Sequence, residues 1–185
     1  FSDTPSLKSI NFPNNLKTIN SGAFRESGIK GVLEFPPSVS SIGDSAFECC
    51  PGIREIKIKQ NKDSLLIGLS SFEGCTNLRL VTIIGGTIYI DCKAFDNCYN
   101  LQEVTLGHVL SIEGLAFNGC TALRSVTINR IGRISPNAFH NCQSGPDGLV
   151  INVRLLDNPE DFHLNTKEFE RKRIETVKLE SYRIT

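Results

Sequence analysis

Apolar and polar positions repeat along this chain with a period of 22 to 25 residues, and each period contains a small residue followed by Phe. These pairs are Ala23–Phe24, Ala46–Phe47, Ser71–Phe72, Ala94–Phe95, Ala116–Phe117 and Ala138–Phe139. Phe1 lies one period before Phe24 and opens the same register. A fixed period of this length predicts a repeat solenoid, because each unit is too small to bury its apolar face alone.

Each period also contains two apolar residues separated by one residue, placed nine and eleven positions after its Phe in most units. The pairs are Ile10/Phe12, Leu33/Phe35, Ile56/Ile58, Val81/Ile83, Val104/Leu106 and Val126/Ile128. Alternation with a period of two is typical of a strand that buries one face. A second extended stretch, such as 16–19 or 39–42, leads into the next Phe. We therefore predict short strands that stack into a parallel β-sheet.

The repeated unit resembles the BspA-like, treponemal-type leucine-rich repeat. Residues 42–58 carry almost the whole pattern, as Ile-Gly-Asp-Ser-Ala-Phe-Glu-Cys-Cys-Pro-Gly-Ile-Arg-Glu-Ile-Lys-Ile. The resemblance extends from residue 1 to about 142 and implies a right-handed leucine-rich-repeat coil, mainly β with turns. It also implies an adhesin-like, protein-binding module without catalytic residues. Two departures are Ser27, where other units have Cys, and a two-residue insertion within 59–66.

The chain is predicted to form a single leucine-rich-repeat domain, 1–185, with regular repeats over 1–142. Two interpretations stay open for 143–185. Asn158-Pro159 is typical of the start of a capping helix, because Asn is a preferred N-cap and Pro a preferred first helical residue. The strand-like pair Val177/Leu179 favours instead a degenerate final repeat.

The charges balance, with 20 basic and 20 acidic residues and a formal net charge of zero. This balance argues against a nucleic acid or an anionic membrane surface as partner. No apolar run approaches the roughly 20 residues that a membrane-spanning helix needs, so direct membrane insertion is not expected. The three His stand beside no patterned nucleophile, and Gly85-Gly86 is interpreted as a turn pair between repeats. We therefore predict no enzyme activity, catalytic residue, metal or cofactor.

The spacing of most of the seven Cys matches the repeat and does not indicate a disulfide framework. Cys49 and Cys92 lie off the repeat position and are expected to be free or partly exposed. Side chains at one position of stacked coils point the same way, so the others are predicted to be reduced, buried packing residues. These five, each three residues after a Phe, are Cys50, Cys75, Cys98, Cys120 and Cys142.

The outward residues of the predicted strands are the candidate partner-binding face. Most are polar, whereas Leu80 and Ile84 would place aliphatic side chains in solvent beside Val32 and the charged Lys57 and Lys59. Apolar patches with a charged rim mark interaction sites. The candidate set is Val32, Glu55, Lys57, Lys59, Leu80, Thr82, Ile84, Glu103, Thr105 and Thr127.

Two functions remain as expectations. The first is a non-enzymatic scaffold that binds a protein partner, in a cell-surface or secreted adhesin-like protein. The second is a structural element that self-associates by stacking end to end. Phe1 lies inside a repeat, so the N-terminal end shows no polar cap and would leave apolar surface and strand edges that pair with another chain.

Overall fold

The structure is a computed structural model that describes residues 1–60, 63–142, 149–155 and 176–181. Within these residues the chain forms a β-solenoid with ten strands and no helix, so nothing here resembles a membrane-spanning helix. The strands are β1 Thr18–Ile19, β2 Gly31–Phe35, β3 Ser41–Ile42, β4 Ile53–Lys59, β5 Ser64–Ile67, β6 Leu80–Ile90, β7 Glu103–Ile112, β8 Ser125–Ile134, β9 Val150–Leu155 and β10 Thr176–Ser181.

Two arms of parallel sheet run along the solenoid. The first arm contains β2, β4, β9, β10 and the first halves of β6, β7 and β8. The second arm contains β1, β3, β5 and the second halves of those three long strands. In the earlier coils each arm has its own strand, whereas β6, β7 and β8 each run through both arms. We call the place where the two arms meet the corner. Both extended stretches predicted from the repeat are therefore present as strands in the five coils from β2 to β8.

A column of Phe rings fills the space between the arms and the turns. From Phe24 to Phe139 the rings of adjacent coils stack with centroids 5.1 to 5.3 Å apart and planes within 12° of parallel. Parallel strands lie about 4.8 Å apart, and ring pairs attract best at about 4.5 to 7 Å. One rise per coil therefore suits both backbone hydrogen bonding and ring stacking.

The turn around each Phe contains a left-handed residue two positions after it, and from Phe24 to Phe117 another two positions before it. Their φ angles lie between 53° and 70°. Gly, Asn and Asp adopt this conformation at least cost, which explains why they are frequent after the Phe. The residues after the Phe are Asp3, Glu26, Cys49, Gly74, Asn97, Gly119 and Asn141, and those before it are Gly22, Ser45, Ser70, Lys93 and Leu115.

The five Cys that lie three residues after a Phe form a column, and their thiols make a series of hydrogen bonds that the sequence did not predict. We name this series the Cys ladder. Each of its thiols donates to the carbonyl oxygen of the Phe in the preceding coil, at 3.0 to 3.3 Å. All seven Cys are free, with Cys49 exposed and Cys92 partly exposed. Cys142 was predicted to be buried but is only partly buried, at the last ring of the Phe column. Burial raises the pKa of the Cys75, Cys98 and Cys120 thiols above the ordinary value, since a thiolate there would lose its water.

Two expectations from the sequence were wrong. Ile10 and Phe12 pack against the core, and Phe12 stacks on Phe35 at 5.2 Å, yet they form no strand. Their segment has a neighbouring coil on one side alone among the described residues. Gly85-Gly86 is not a turn between repeats, because it lies inside β6 where the two arms meet.

The corner glycines permit a close approach between two coils. A Cβ on Gly85 would lie 2.2 Å from the carbonyl oxygen of Gln60, and one on Gly86 would lie 2.1 Å from that of Asp63. Both glycines have positive φ, 78° and 59°. A side chain at either position would therefore collide with the backbone of the coil before it.

The tail contains a strand at the place where the degenerate-repeat interpretation put one. β10 pairs in parallel with β9, and Val177 and Leu179 lie opposite Ile151 and Val153. The turn-rich segment 143–148 lies outside the described residues, as do Asn158-Pro159 and the rest of the proposed capping helix.

Removing one ring from the middle of the Phe column should be costly. We expect Phe95→Ala to lower the free energy of unfolding by about 3–5 kcal/mol, because it leaves a cavity between two stacked rings. Urea unfolding followed by circular dichroism measures this loss. Phe1→Ala is the matched control, since Phe1 is 73% exposed and should cost far less. A loss below about 1 kcal/mol for Phe95→Ala would contradict the stacked core.

The buried thiols should make the fold sensitive to alkaline pH. Thiols in the unfolded chain ionise near their ordinary value of 9.0, whereas Cys75 and Cys98 stay protonated when folded. Above that pH the unfolded chain binds fewer protons, so stability falls by up to about 1.4 kcal/mol per pH unit for each buried thiol.

Urea unfolding at about pH 8 and about pH 10 tests this linkage. The double variant Cys75→Ala/Cys98→Ala should be less stable than wild type at the lower pH but should lose less on going to the higher one. Equal losses in the two proteins would show that these thiols do not carry the pH dependence.

Candidate functional site

The register of the first arm brings all ten candidate residues onto one outward face. Residues at the same position of successive coils lie opposite one another and form three lateral rows. The first row is Val32, Glu55, Leu80 and Glu103, the second is Lys57, Thr82, Thr105 and Thr127, and the third is Lys59 and Ile84. We name this surface the first-arm face.

The two acidic residues of the first-arm face, Glu55 and Glu103, have basic partners in the face or next to it. Lys57 Nζ lies 3.2 Å from Glu55 Oε1 and 3.9 Å from Glu34 Oε1. Arg124 Nη2 lies 2.9 Å from Glu103 Oε1. Exposed pairs of this kind contribute at most about 1 kcal/mol, so they shape the charge pattern more than the stability.

Charged residues lie between the aliphatic residues of the face. Val32 is 50% exposed, whereas Leu80 and Ile84 are only partly exposed. Glu55 lies between Val32 and Leu80 in the same row. The first row therefore alternates aliphatic and acidic side chains at one residue per coil, about 4.8 Å apart.

A shallow hollow of about 350 Å³ lies where the first-arm face meets the N-terminal coil. Asn11 and Asn14 line one side of it, and Val32 and Glu34 line the other. The hollow extends the first row beyond Val32 and offers amide groups beside an aliphatic residue.

The second arm exposes aliphatic residues that sequence reasoning missed. Leu66 lies opposite Tyr89, and Leu66, Leu69 and Leu110 are each 42% to 43% exposed. The signal was present in Ser64-Leu-Leu-Ile67, because two adjacent Leu in a strand cannot both face the core. Nearby, burial lowers the pKa of His108, and Arg130 lowers it further.

Nothing in these rows forms a reactive or metal-binding cluster. No group of His, Cys, Asp and Glu within the described ranges is arranged to hold a metal ion. Burial raises the pKa of the Cys49 thiol, and Glu48 and Glu26 raise it further, so it is a poor nucleophile at neutral pH. The chemistry that the surface offers is recognition through apolar, hydroxyl and charged side chains.

Comparison with known proteins agrees with this architecture. No curated protein sequence matches the chain. A leucine-rich repeat protein from Bacteroides ovatus, solved by crystallography, superposes with a TM-score of 0.57 and is 25% identical. The match covers 96% of this chain and 48% of that protein, so the chain spans about half of its length.

A family model gives the assignment. The model of the BspA type Leucine rich repeat region matches in six copies, over residues 1–107 and 64–147. These matches cover the Phe column, the Cys ladder and both arms as far as β8. The resemblance seen in residues 42–58 thus holds across most of the sequence. The chain belongs to the BspA-type leucine-rich repeat family.

Proposed function

We propose that this repeat scaffold binds a protein partner on its first-arm face. Folds and families of this kind are typically non-enzymatic, which fits a surface without a reactive cluster in the described residues. The observation that carries the proposal is the first row, where exposed Val32 and part-exposed Leu80 alternate with charged residues in strict register. Extended sheet faces of solenoids commonly serve as binding surfaces.

The proposal includes a location at the cell surface or in a secreted, adhesin-like protein, which the family resemblance supports. A protein at the surface is accessible from outside, so protease added to intact cells should remove it. Survival of the chain until the cells are lysed would contradict this location.

A selection of displayed peptides on the immobilised chain tests the binding face. We expect the selected clones to lose at least about tenfold in affinity for Val32→Asp/Leu80→Asp, because a partner would have to bury the new carboxylates. The matched control is Leu66→Asp/Leu110→Asp on the second arm, which should leave affinity unchanged. If the second-arm variant loses binding and the first-arm variant does not, the proposed face is wrong.

Self-association through the N-terminal end is the second candidate function. An apolar hollow of about 440 Å³ opens there, lined in part by Phe1, Ile10, Phe12 and Leu16. Phe1 stacks on Phe24 at 5.6 Å, while its other face is open to solvent. A further coil stacked on this end would cover the ring and pair the strand edges.

Sedimentation of the whole 185-residue chain tests this second function. Assembly through the open end predicts a mass that rises with concentration, and Phe1→Glu should restore the monomer because it places a charge in the contact. A chain that stays monomeric at high concentration does not assemble in this way.

A further inference from the structure

A column of basic residues runs along the edge of the first arm, next to the first row of its face. Backbone hydrogen bonds join its members across coils, from Lys30 to Lys8 at 3.2 Å and from Arg79 to Arg54 at 2.8 Å. All members are exposed. These five residues, which we name the basic ridge, are Lys8, Lys30, Arg54, Arg79 and Arg124. The register shifts between Lys30 and Arg54, where Lys30 lies over Gly52, so the ridge is offset at that coil.

A neutral residue interrupts the ridge between Arg79 and Arg124 as well. Gln102 N donates to Arg79 O at 2.9 Å, and Arg124 N donates to Gln102 O at 3.0 Å. Gln102 therefore occupies the coil between these two arginines. The fold accepts an uncharged residue at this position, so packing does not require the basic ones.

Most of the ridge has no counter-charge. Arg124 is paired with Glu103, but Lys30, Arg54 and Arg79 form no ion pair with any residue that the structure describes. Like charges on neighbouring strands repel each other. Stacking Arg54 on Arg79 therefore costs stability, and an anionic ligand would relieve that repulsion.

The net charge of zero gives no indication of the basic ridge. Four acidic residues lie in the turns, at Glu26, Glu48, Glu73 and Asp96, each one or two positions after a Phe. Beside the ridge, Glu55 is paired with Lys57 and Glu103 with Arg124. A net charge of zero therefore does not show that basic residues adjoin one another at this edge.

We infer that the partner presents an acidic, amphipathic α-helix that lies across the coils, with carboxylates on the basic ridge and apolar side chains on Val32 and Leu80. This inference rests on the proposed function. Side chains on one face of a helix recur about every 5.4 Å, close to the coil rise of about 4.8 Å. In an extended strand they recur about every 6.6 Å, which falls out of step within a few coils.

The apolar contacts agree with the same partner. Val32 and Leu80 are two coils apart, or about 9.6 Å, and helix residues seven positions apart are separated by about 10.5 Å. A helix with an acidic stripe beside an aliphatic stripe would meet both columns at once. A nucleic acid would engage the ridge alone, because its phosphates offer no aliphatic group for the first row.

A synthetic helical peptide of about six turns, with Glu in one stripe and Leu in the next, serves as the probe. The control peptide has the same composition with its Glu distributed around the helix. Binding to the full chain is measured by fluorescence anisotropy at low and high salt. We expect binding of the striped peptide that weakens as salt rises, and at least about tenfold weaker binding of the control peptide.

Variants of the chain locate the contact. The Arg54→Glu/Arg79→Glu variant should bind the striped peptide at least about tenfold more weakly than wild type. The matched control Lys17→Glu/Lys93→Glu changes net charge equally, at exposed residues away from the ridge, and should change affinity less than about twofold. Gln102→Arg completes the ridge and should tighten binding up to about fivefold. Circular dichroism confirms that each variant is folded.

Several results would overturn the inference. They are failure of the striped peptide to bind, equal binding of both peptides, or wild-type affinity in the Arg54→Glu/Arg79→Glu variant. Ridge-dependent binding of heparin or duplex DNA that exceeds the peptide's would show a general polyanion site instead of a helix site. Library clones that depend on Val32 and Leu80 but not on the ridge would also overturn it, while leaving the proposed function intact.

Discussion

The whole structure depends on a single rise per coil that satisfies two interactions at once. Strand pairing fixes the rise near 4.8 Å, and the Phe rings, with centroids 5.1 to 5.3 Å apart, stack face to face at almost the same step. Because the step is constant, every repeat position becomes a column. The Cys ladder, the rows of the first-arm face and the basic ridge all follow from that geometry.

The turns are where the sequence accepts strain to keep this rise. Glu26 and Leu115 occupy left-handed positions with φ of 55° and 60°, each at a cost of about 1–2 kcal/mol. The turn is held by hydrogen bonds between coils, such as Phe47 N to Ser71 O at 2.7 Å. Such bonds fix the backbone whatever residue is present, so side chains at these positions vary more than those in the core.

Much of the fold could be predicted from the period of the sequence. Residues that recur at one repeat position predict the Phe column, the two extended stretches and the burial of Cys75 and Cys98. This recurrence can be seen directly in the sequence. The thiol ladder could not be predicted, because a hydrogen bond depends on where the Phe carbonyl points. The absence of a strand at Ile10 and Phe12 could not be predicted for a different reason. The alternation of apolar residues is the same whether a segment has a neighbouring coil on one side or on both.

The candidate face was predictable in its members but not in its character. Alternation placed Leu80 and Thr82 outward, whereas register was needed to show that Glu55 separates Val32 from Leu80. The basic ridge was not predicted, because the net charge does not show where the basic and acidic residues lie on the surface. The exposure of Leu66 and Leu110 could not be predicted from the repeat alone, because the second stretch of each unit is short and its outward positions vary from coil to coil.

The glycine corner restricts which coils can be neighbours. The carbonyl oxygens of Gln60 and Asp63 occupy the space that a side chain at Gly85 or Gly86 would need. A coil with any other residue at these two positions could not stack at the same rise on the coil before it. These two coils are therefore matched to each other, and a repeat inserted between them would have to supply the same pair of glycines.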